Sequence, residues 1–297
     1  MFGIRVLQIN QYKNDLRKMR VWSMFNENIH YLKLYDEVKK ELKFLTNSEI
    51  RMNVLKCLSD SPITAKNICS VSDLAYSAVS HNIRLLEDYG YLYSDDGQYW
   101  LNNVAIIKLL NFMNFRDSVS IVREYVDLWD DHDITCISSD DLSELSSLKR
   151  AHLLESVRTD IYQPQNIFKQ VLAGSKTVKS IFPFINSEYP IIFENLLRNR
   201  ADIELLCEKS ITQNFIQSIE NETLKNGLKN KNFKIKSLKE NINLFLTIAD
   251  DVMFFGLFKD DGKFDQNHLL ISNEPKAIDW ASRIFEKFNS GGNNFYI

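Results

Sequence analysis

The fold is decided by residues 64–101, which read TAKNICSVSDLAYSAVSHNIRLLEDYGYLYSDDGQYWL. The hydroxyl of Thr64 can accept a hydrogen bond from a free amide of a first helical turn, so a short helix is predicted over Ala65 to Val71. After a turn, apolar residues recur at helical spacing, and a second helix is predicted from Tyr76 to Asp88. It ends just before Gly90, because glycine commonly closes a helix at that position.

A β-hairpin is predicted directly after these two helices. The β-prone runs Tyr91–Ser94 and Gln98–Leu101 flank Asp95-Asp96-Gly97, and two such runs around Asp-Gly indicate a hairpin. Working outward, a further helix over Glu49 to Leu58 precedes the pair. The order helix, short helix, turn, helix, hairpin is that of an α+β winged helix-turn-helix domain, which we place at residues 46–102.

The helix at residues 76–88 is predicted to read DNA. Its apolar side carries Val79, Ile83 and Leu86, which are expected to face the core. The opposite side carries side chains that can bond to base edges, namely Tyr76 at the border, Ser77, Ser80, His81 and Arg84. Arginine can contact guanine O6 and N7 together, and in this motif the helix enters the major groove by its N-terminal end. Lys66, on the preceding helix, is expected to meet phosphate. A solvated surface helix is the alternative.

The charge of this domain opposes a simple DNA-binding prediction. Residues 46–102 hold 4 Lys or Arg against 7 Asp or Glu, and Asp95 and Asp96 lie at the hairpin tip. Residues 1–45 partly offset this, with 9 basic against 5 acidic side chains. We therefore expect modest affinity for double-stranded DNA that depends on a homodimer. A winged helix that binds protein is the alternative, which the acidic charge would suit.

The segments on either side of this domain are predicted to be mainly helical. Residues 1–45 read as an N-terminal extension followed by a helix from about Tyr31, with Leu34, Val38 and Leu42 on one apolar face. Residues 103–160 are predicted to be a helical linker whose first helix runs from Val104 to Trp129. Its apolar side chains could pair two subunits or pack on their own domain: Ile106, Leu109, Leu110, Phe112 and Met113.

The C-terminal part is predicted to be an α/β domain at residues 161–290, because β-prone and helical segments alternate there. Strands are expected at Lys176–Ile185, Asp202–Cys207, Phe233–Leu238, Leu244–Ala249, Val252–Phe258 and His268–Ser272. Helices are expected at Gln165–Ala173, Glu188–Asn199, Thr212–Asn226 and Lys276–Phe288. Residues 291–297 read as a tail.

Four blocks of the chain resemble known regulators. AYSAVSHNIRLLEDYGYL (Ala75–Leu92) resembles the arsenic-repressor-like winged-helix regulators. EYVDLWDDHDI (Glu124–Ile134), SIFPFINSEYPIIFENLL (Ser180–Leu197) and FGLFKDDGKFDQNHLLISNEPKAIDWASRIF (Phe255–Phe285) resemble archaeal regulators in which a winged helix is joined to a methanogenesis-regulator domain. The resemblance implies a transcriptional regulator whose C-terminal domain senses a small-molecule effector or mediates assembly. It also implies that this α/β domain resembles a phospholipase D-like fold.

Such a fold is expected to be catalytically silent in this chain. A phospholipase D-like enzyme needs a histidine that attacks phosphorus and a lysine, in an H-x-K motif, that stabilises the phosphate charge. The sequence holds no H-x-K, and His268, the only histidine after residue 160, is followed by two leucines. A phosphodiesterase is therefore disfavoured, and we expect no enzyme activity.

No cofactor or metal ion is predicted. Cys136 lies four residues after His132, but no second ligand pair completes a zinc site. Asp250 and Asp251 could bind a cation or be turn charges, and a few aromatic side chains could line a pocket or form core: Phe182, Phe184, Tyr189 and Trp280. The net charge is −3, and neither a signal peptide nor an apolar run of membrane-spanning length is seen, so a cytosolic location without membrane contact is expected.

Overall fold

The computed structural model of the chain describes residues 30–59, 61–184, 186–238, 242–291 and 293–294. The predicted extension at residues 1–29 lies outside the described residues, as does the end of the predicted tail. The chain divides into two compact units, residues 1–113 and 114–297. In the part that the structure describes, no helix is long and apolar enough to cross a membrane.

Helices of the N-terminal unit surround a small sheet. The described helices are α1 (His30–Thr46), α2 (Glu49–Cys57), α3 (Ala65–Ser72), α4 (Tyr76–Asp88) and the start of α5 (Asn103–Glu124). The strands β1 (Ile63–Thr64), β2 (Leu92–Asp95) and β3 (Gln98–Leu101) form an antiparallel sheet in the order β1-β3-β2. The predicted order of helix, short helix, turn, helix and hairpin is therefore present.

Strands β2 and β3 are joined by a two-residue hairpin loop. Asp95 pairs with Gln98, which leaves Asp96 and Gly97 as the loop. Both loop residues have positive φ, 45° and 74°, as the turn that matches strand twist requires. This explains why an Asp-Gly pair at this point predicts the hairpin correctly.

The packing of α1 differs from the prediction. The expected apolar face is largely exposed, since Val38 and Leu42 are 47% and 38% exposed, and the side chain of Leu34 lies outside the described part. Phe44 and Leu45 are buried instead. The C-terminal end of α1 packs on the domain, where the ring of Phe44 stacks on that of Tyr89 with 3.8 Å between ring centroids.

The C-terminal unit is built on an eight-stranded sheet. Its order is β11-β7-β6-β5-β8-β9-β10-β4, with β5, β6 and β7 parallel and every other pair antiparallel. The strands are β4 (His152–Glu155), β5 (Thr177–Phe182), β6 (Asp202–Glu208), β7 (Phe233–Leu238), β8 (Leu244–Ala249), β9 (Val252–Leu257), β10 (His268–Ser272) and β11 (Asn293–Asn294).

Helices and a linker segment cover both faces of this sheet. The helices of this unit, besides the end of α5, are α6 (Val126–Asp130), α7 (Ser139–Ser143), α8 (Gln163–Ala173), α9 (Tyr189–Arg198), α10 (Lys209–Gln217), α11 (Asn221–Asn230) and α12 (Pro275–Gly291). A short 3-10 turn spans Leu145–Leu148.

One core cluster joins α12 and residues 121–151 to the sheet, and a second joins α8, α9, α10 and α11 to it. Adjacent residues of β8, such as Phe245 and Leu246, enter different clusters, so the central strands are apolar on both faces.

The linker predicted for residues 103–160 is not a purely helical segment. The expected helix from Val104 to Trp129 breaks at Tyr125, whose hydroxyl donates to the carbonyl oxygen of Ala151 at 3.0 Å. Residues 152–155 then form the edge strand β4, paired with β10. Four residues are too few for a period to be visible in the sequence, which is why this strand was missed.

Two further predictions were wrong in detail. The helix expected over residues 212–226 is two helices, because the chain turns at residues 218–220 and buries Ile219. The tail expected at residues 291–297 includes a strand, since Asn293 and Asn294 pair with β7. The resemblance to a phospholipase D-like fold stays a prediction.

Candidate nucleic-acid interface and a charged cavity

Helix α4 is anchored by its inner face. Val79, Ile83 and Leu86 are buried, as predicted, in the core of the N-terminal unit. Asn82 is buried beside them, and its amide nitrogen donates to the carbonyl oxygen of Ala78 at 2.9 Å. These contacts fix the rotation of the helix about its axis, so the residues of its other face are held in set positions.

The outer face of α4 brings the predicted base-reading residues together. Tyr76, Ser77, His81 and Arg84 are exposed, and Ser80 is half-buried. Within the described residues, none of these five side chains is engaged in a hydrogen bond or an ion pair. Side chains that have polar groups and no internal partner can bond to an external molecule without first breaking a contact.

The N-terminal ends of α3 and α4 differ in their capping. The Thr64 hydroxyl accepts a hydrogen bond from the amide of Asn67 at 3.2 Å, as the sequence predicts. Helix α4 follows Ala75, which has no side-chain oxygen to cap the first turn. Lys66 is exposed in the first turn of α3, where a cation next to helix amides suits a phosphate group.

The tip of the hairpin is acidic and exposed. Asp95 and Asp96 are both exposed, and among the described residues neither carboxylate forms an ion pair. Tyr93 and Trp100 lie opposite each other across the strands, with ring centroids 6.3 Å apart. Any DNA contact by the hairpin therefore has to come from its strand faces, since phosphate would repel the tip.

A cavity of about 630 Å³ opens on the C-terminal unit. Its walls come from the end of α5, from α6, from β4, from the turn at residues 259–261 and from the start of β10. The buried carboxylate of Asp265 lies at its floor.

Asp265 is the centre of a hydrogen-bond network at this floor. Its Oδ2 lies 3.0 Å from Nε2 of His132, 2.8 Å from Nδ1 of His268 and 3.4 Å from Nζ of Lys259. Its Oδ1 accepts from the amide of Asn267 at 3.0 Å. Burial alone would raise the pKa of Asp265, but the bonds from His268, Asn267 and His132 outweigh burial and hold that pKa below its ordinary value.

Both histidines of the network face oxygen on two sides. Nδ1 of His132 lies 3.3 Å from the carbonyl oxygen of Asp127, while its Nε2 faces Asp265. Nε2 of His268 lies 3.4 Å from a carboxylate oxygen of Glu155. Contacts at both ring nitrogens hold each imidazole in a fixed orientation.

The remaining polar candidates of the sequence are structural. Oδ1 of Asp250 accepts from the amides of Lys176 and Thr177 and so holds the start of β5. Asp133 is buried and accepts from the hydroxyl of Thr135 at 2.6 Å, and Cys136 lies within hydrogen-bond reach of the carbonyl oxygen of Asp133.

The aromatic candidates belong to the core. Phe182 and Tyr189 are buried, and Phe184 is half-buried beside them, in the cluster under α8 and α9. Trp280 lies in the other cluster, where its indole donates to the carbonyl oxygen of Asp141 at 2.9 Å.

The network around Asp265 was missed because its two ends are far apart in the sequence. His132 and Asp265 are separated by 133 positions, and no local spacing relates them. The one available signal is that both residues fall inside the blocks that carry the family resemblance, at residues 124–134 and 255–285.

Known proteins are similar to both parts of the chain. Residues 161–290 match the family model described as the middle domain of the methanogenesis regulatory protein FilR1. The methanogenesis regulatory protein FilR1 of Methanothrix harundinacea (strain 6Ac) is 25% identical over 256 residues, which is 85% of this chain. The chain spans 57% of the length of that relative. The predicted resemblance to regulators with such a domain is confirmed, and the arsenic-repressor-like part of it stays a prediction.

Two solved structures share a distant likeness. TrmBL2, titled an archaeal chromatin protein with a novel mode of DNA binding, is 12% identical with a TM-score of 0.39, over 84% of this chain and 94% of that one. An IclR family transcriptional regulator from Brucella abortus is 15% identical with a TM-score of 0.23, over 80% of this chain and 90% of that one. TM-scores this low assign neither fold nor function.

Replacing Asp265 by Asn should destabilise the C-terminal unit by about 1–3 kcal/mol at pH 7, because an amide cannot replace all the hydrogen bonds that join the buried carboxylate to His132, His268 and the amide of Asn267. The pKa of Asp265 is lower in the folded than in the unfolded chain, so its contribution is present above about pH 4 and is lost as the pH falls through the folded-state pKa. Urea unfolding at pH 7, 5 and 3 measures this, and the gap between wild type and variant should shrink at pH 3.

Asp261→Asn is the matched control, because Asp261 is exposed four residues away. It should stay within about 0.5 kcal/mol of wild type at every pH. A gap for Asp265→Asn that is equally large at pH 3 and pH 7 would show that packing, and not the charge of Asp265, accounts for the loss.

Proposed function

We propose that the chain is a sequence-specific DNA-binding transcriptional regulator whose N-terminal unit is a winged helix-turn-helix domain. The observation that carries the proposal is the outer face of α4. Hydroxyl, imidazole and guanidinium groups lie together there, exposed and without partners among the described residues, on a helix fixed by a buried inner face. Such groups can donate to and accept from base edges in the major groove.

The similarity to a methanogenesis regulatory protein supports a role in regulation. The alternative function is a protein-interaction module that uses the same face of α4. The exposed acidic tip of the hairpin favours this alternative, because phosphate repels Asp95 and Asp96.

The regulator is proposed to act as a cytosolic homodimer. One winged helix with 4 basic against 7 acidic side chains would bind DNA weakly, and two copies could read half-sites about 34 Å apart. Apolar side chains on α5 support the pairing, since Leu110 and Ile107 are each 61% exposed and Ile106 is also exposed. Of the other side chains expected to pair subunits, Leu109 is buried and Phe112 and Met113 are half-buried in their own unit.

The C-terminal unit is proposed to sense an effector or mediate assembly, and not to catalyse a reaction. The sequence holds no H-x-K pair. His268, the histidine that the rival phosphodiesterase would use, is followed by two leucines and so lacks the lysine of that pair.

Arg84→Ala should weaken binding to the preferred DNA site by about 1–3 kcal/mol and weaken binding to random DNA much less, if Arg84 contacts a guanine edge. Lys66→Ala should weaken binding to both duplexes alike and lower the salt slope by about one unit, since a phosphate contact does not depend on sequence. The wild-type chain first selects its site from a random duplex library, and both variants are then titrated on selected and random duplexes at two salt concentrations.

Arg158→Ala is the control, because Arg158 is an exposed arginine of the C-terminal unit. It should leave both affinities unchanged. If a folded variant with Ala at Ser77, Ser80, His81 and Arg84 binds DNA as wild type does, α4 does not read DNA and the protein-interaction alternative is favoured.

Leu110→Asp should raise the dimer dissociation constant by at least about tenfold, because a carboxylate would have to be buried in an apolar contact. Sedimentation at several concentrations measures the change. Asn214→Asp places the same charge at an exposed position of α10, away from α5, and should leave the constant unchanged. A wild-type chain that sediments only as a monomer at micromolar concentration, with and without DNA, contradicts the dimer.

The full chain should not hydrolyse a generic phosphodiester, because no histidine–lysine pair is present to attack phosphorus and stabilise the charge. A chromogenic phosphodiester assay with and without added divalent cations tests this. Turnover that disappears in His268→Ala would show that the C-terminal unit is an enzyme.

A further inference from the structure

The charged cavity of the C-terminal unit is built to hold a small molecule. Its volume of about 630 Å³ falls within the roughly 300–1,000 Å³ that ligand sites occupy in proteins. Tyr125, Leu128 and Leu153 supply apolar wall, and the network of Asp265 closes the floor. Carboxylates alone would not define a site; here they line a partly open cavity above the buried, hydrogen-bonded carboxylate of Asp265.

The lining of the cavity carries an excess of negative charge. Eight of its sixteen lining residues are Asp or Glu, against one lysine and three histidines. The lining therefore stays negative even when all three imidazoles are protonated. A cleft lined by one sign of charge concentrates ions of the opposite sign, so the ligand that fits this cavity is a cation.

Three carboxylates at the α6 side of the cavity have no partner of their own. Asp127, Asp130 and Asp131 are exposed, and among the described residues none of their side chains makes a hydrogen bond or an ion pair. Lys259 does not neutralise them, because its ammonium lies 3.4 Å from the carboxylate of Asp265. A bound cation would give these three carboxylates the partners that they lack.

The acids come from several elements of the cavity wall, which favours an extended organic cation over a metal ion. Among the described residues, no three His, Cys, Asp or Glu side chains converge closely enough to hold a metal ion. The carboxylates are instead distributed along the cavity from α6 to the turn at residues 259–261. A linear polyamine has ammonium groups at intervals that can meet separate carboxylates, and its methylene segments suit the apolar wall of Tyr125 and Leu153.

The geometry points to a linear polyamine, bound through Asp127 and Asp131, as the effector of the C-terminal unit. This inference rests on the proposed function for its regulatory meaning, since the proposal gives that unit a sensing role. The binding itself does not depend on DNA. Binding to the cavity is therefore measured on the full chain without DNA.

Isothermal titration calorimetry of the full chain with spermidine tests the inference. Spermidine should bind saturably, 1,4-diaminobutane more weakly because it has one ammonium fewer, and the neutral 1,4-butanediol not at all. Asp127→Asn/Asp131→Asn should weaken spermidine binding by at least about tenfold, while its thermal unfolding without ligand stays as in wild type. Asp251→Asn/Asp279→Asn removes two exposed carboxylates from outside the cavity and should leave the affinity within about twofold.

Three results would overturn the inference. The first is that spermidine gives no binding heat. The second is that both double variants lose affinity for spermidine equally. The third is that magnesium displaces spermidine at equal concentration. The second and third results would mean that amines only screen the acidic surface. If spermidine binds as expected while the α4 variants leave DNA binding unchanged, the proposed function fails and the polyamine site stands; if the reverse is found, only the polyamine site fails.

Discussion

The C-terminal unit depends on one hydrogen-bond network, in which the buried carboxylate of Asp265 bonds to His132 and His268. Asp265 lies between β9 and β10, and His132 follows α6 at the other end of the unit's sequence. Backbone bonds reinforce the tie, since the amide of Asp133 donates to the carbonyl oxygen of Phe258 at 2.8 Å. The segment that leaves α5 is thereby fixed to the sheet, and the cavity beside it has a rigid floor.

Helix α4 shows how one element can separate stability from recognition. Its inner residues are buried and carry the packing of the N-terminal unit, whereas its outer side chains make no hydrogen bond or ion pair with other residues that the structure describes. Selection can therefore change the outer side chains, and with them the partner, at little cost in folding free energy. A regulator needs this separation, because its binding preference has to vary while its fold does not.

Local sequence signals predicted most of the helices and strands. They could not predict contacts between residues that are far apart in the sequence. Thr64 and the Asp96-Gly97 pair act within a few residues, so the start of α3 and the hairpin follow from the sequence alone. Strand β4 has only four residues, and it is defined by pairing with β10, which lies far along the chain. The local sequence of β4 therefore does not predict a strand. The exposed face of α1 was misjudged for a related reason, because periodicity shows that a face is apolar but not whether anything covers it.

The two ends of the eight-stranded sheet bear on how copies of the chain can meet. The sheet is bounded by β4, with four residues, and by β11, with two. An edge this short offers few unpaired amide and carbonyl groups to a strand of another molecule, and β4 begins and ends in the polar residues His152 and Glu155. The two edge strands therefore give a strand of another molecule little template for sheet-to-sheet growth, the first step towards aggregation for a large open sheet.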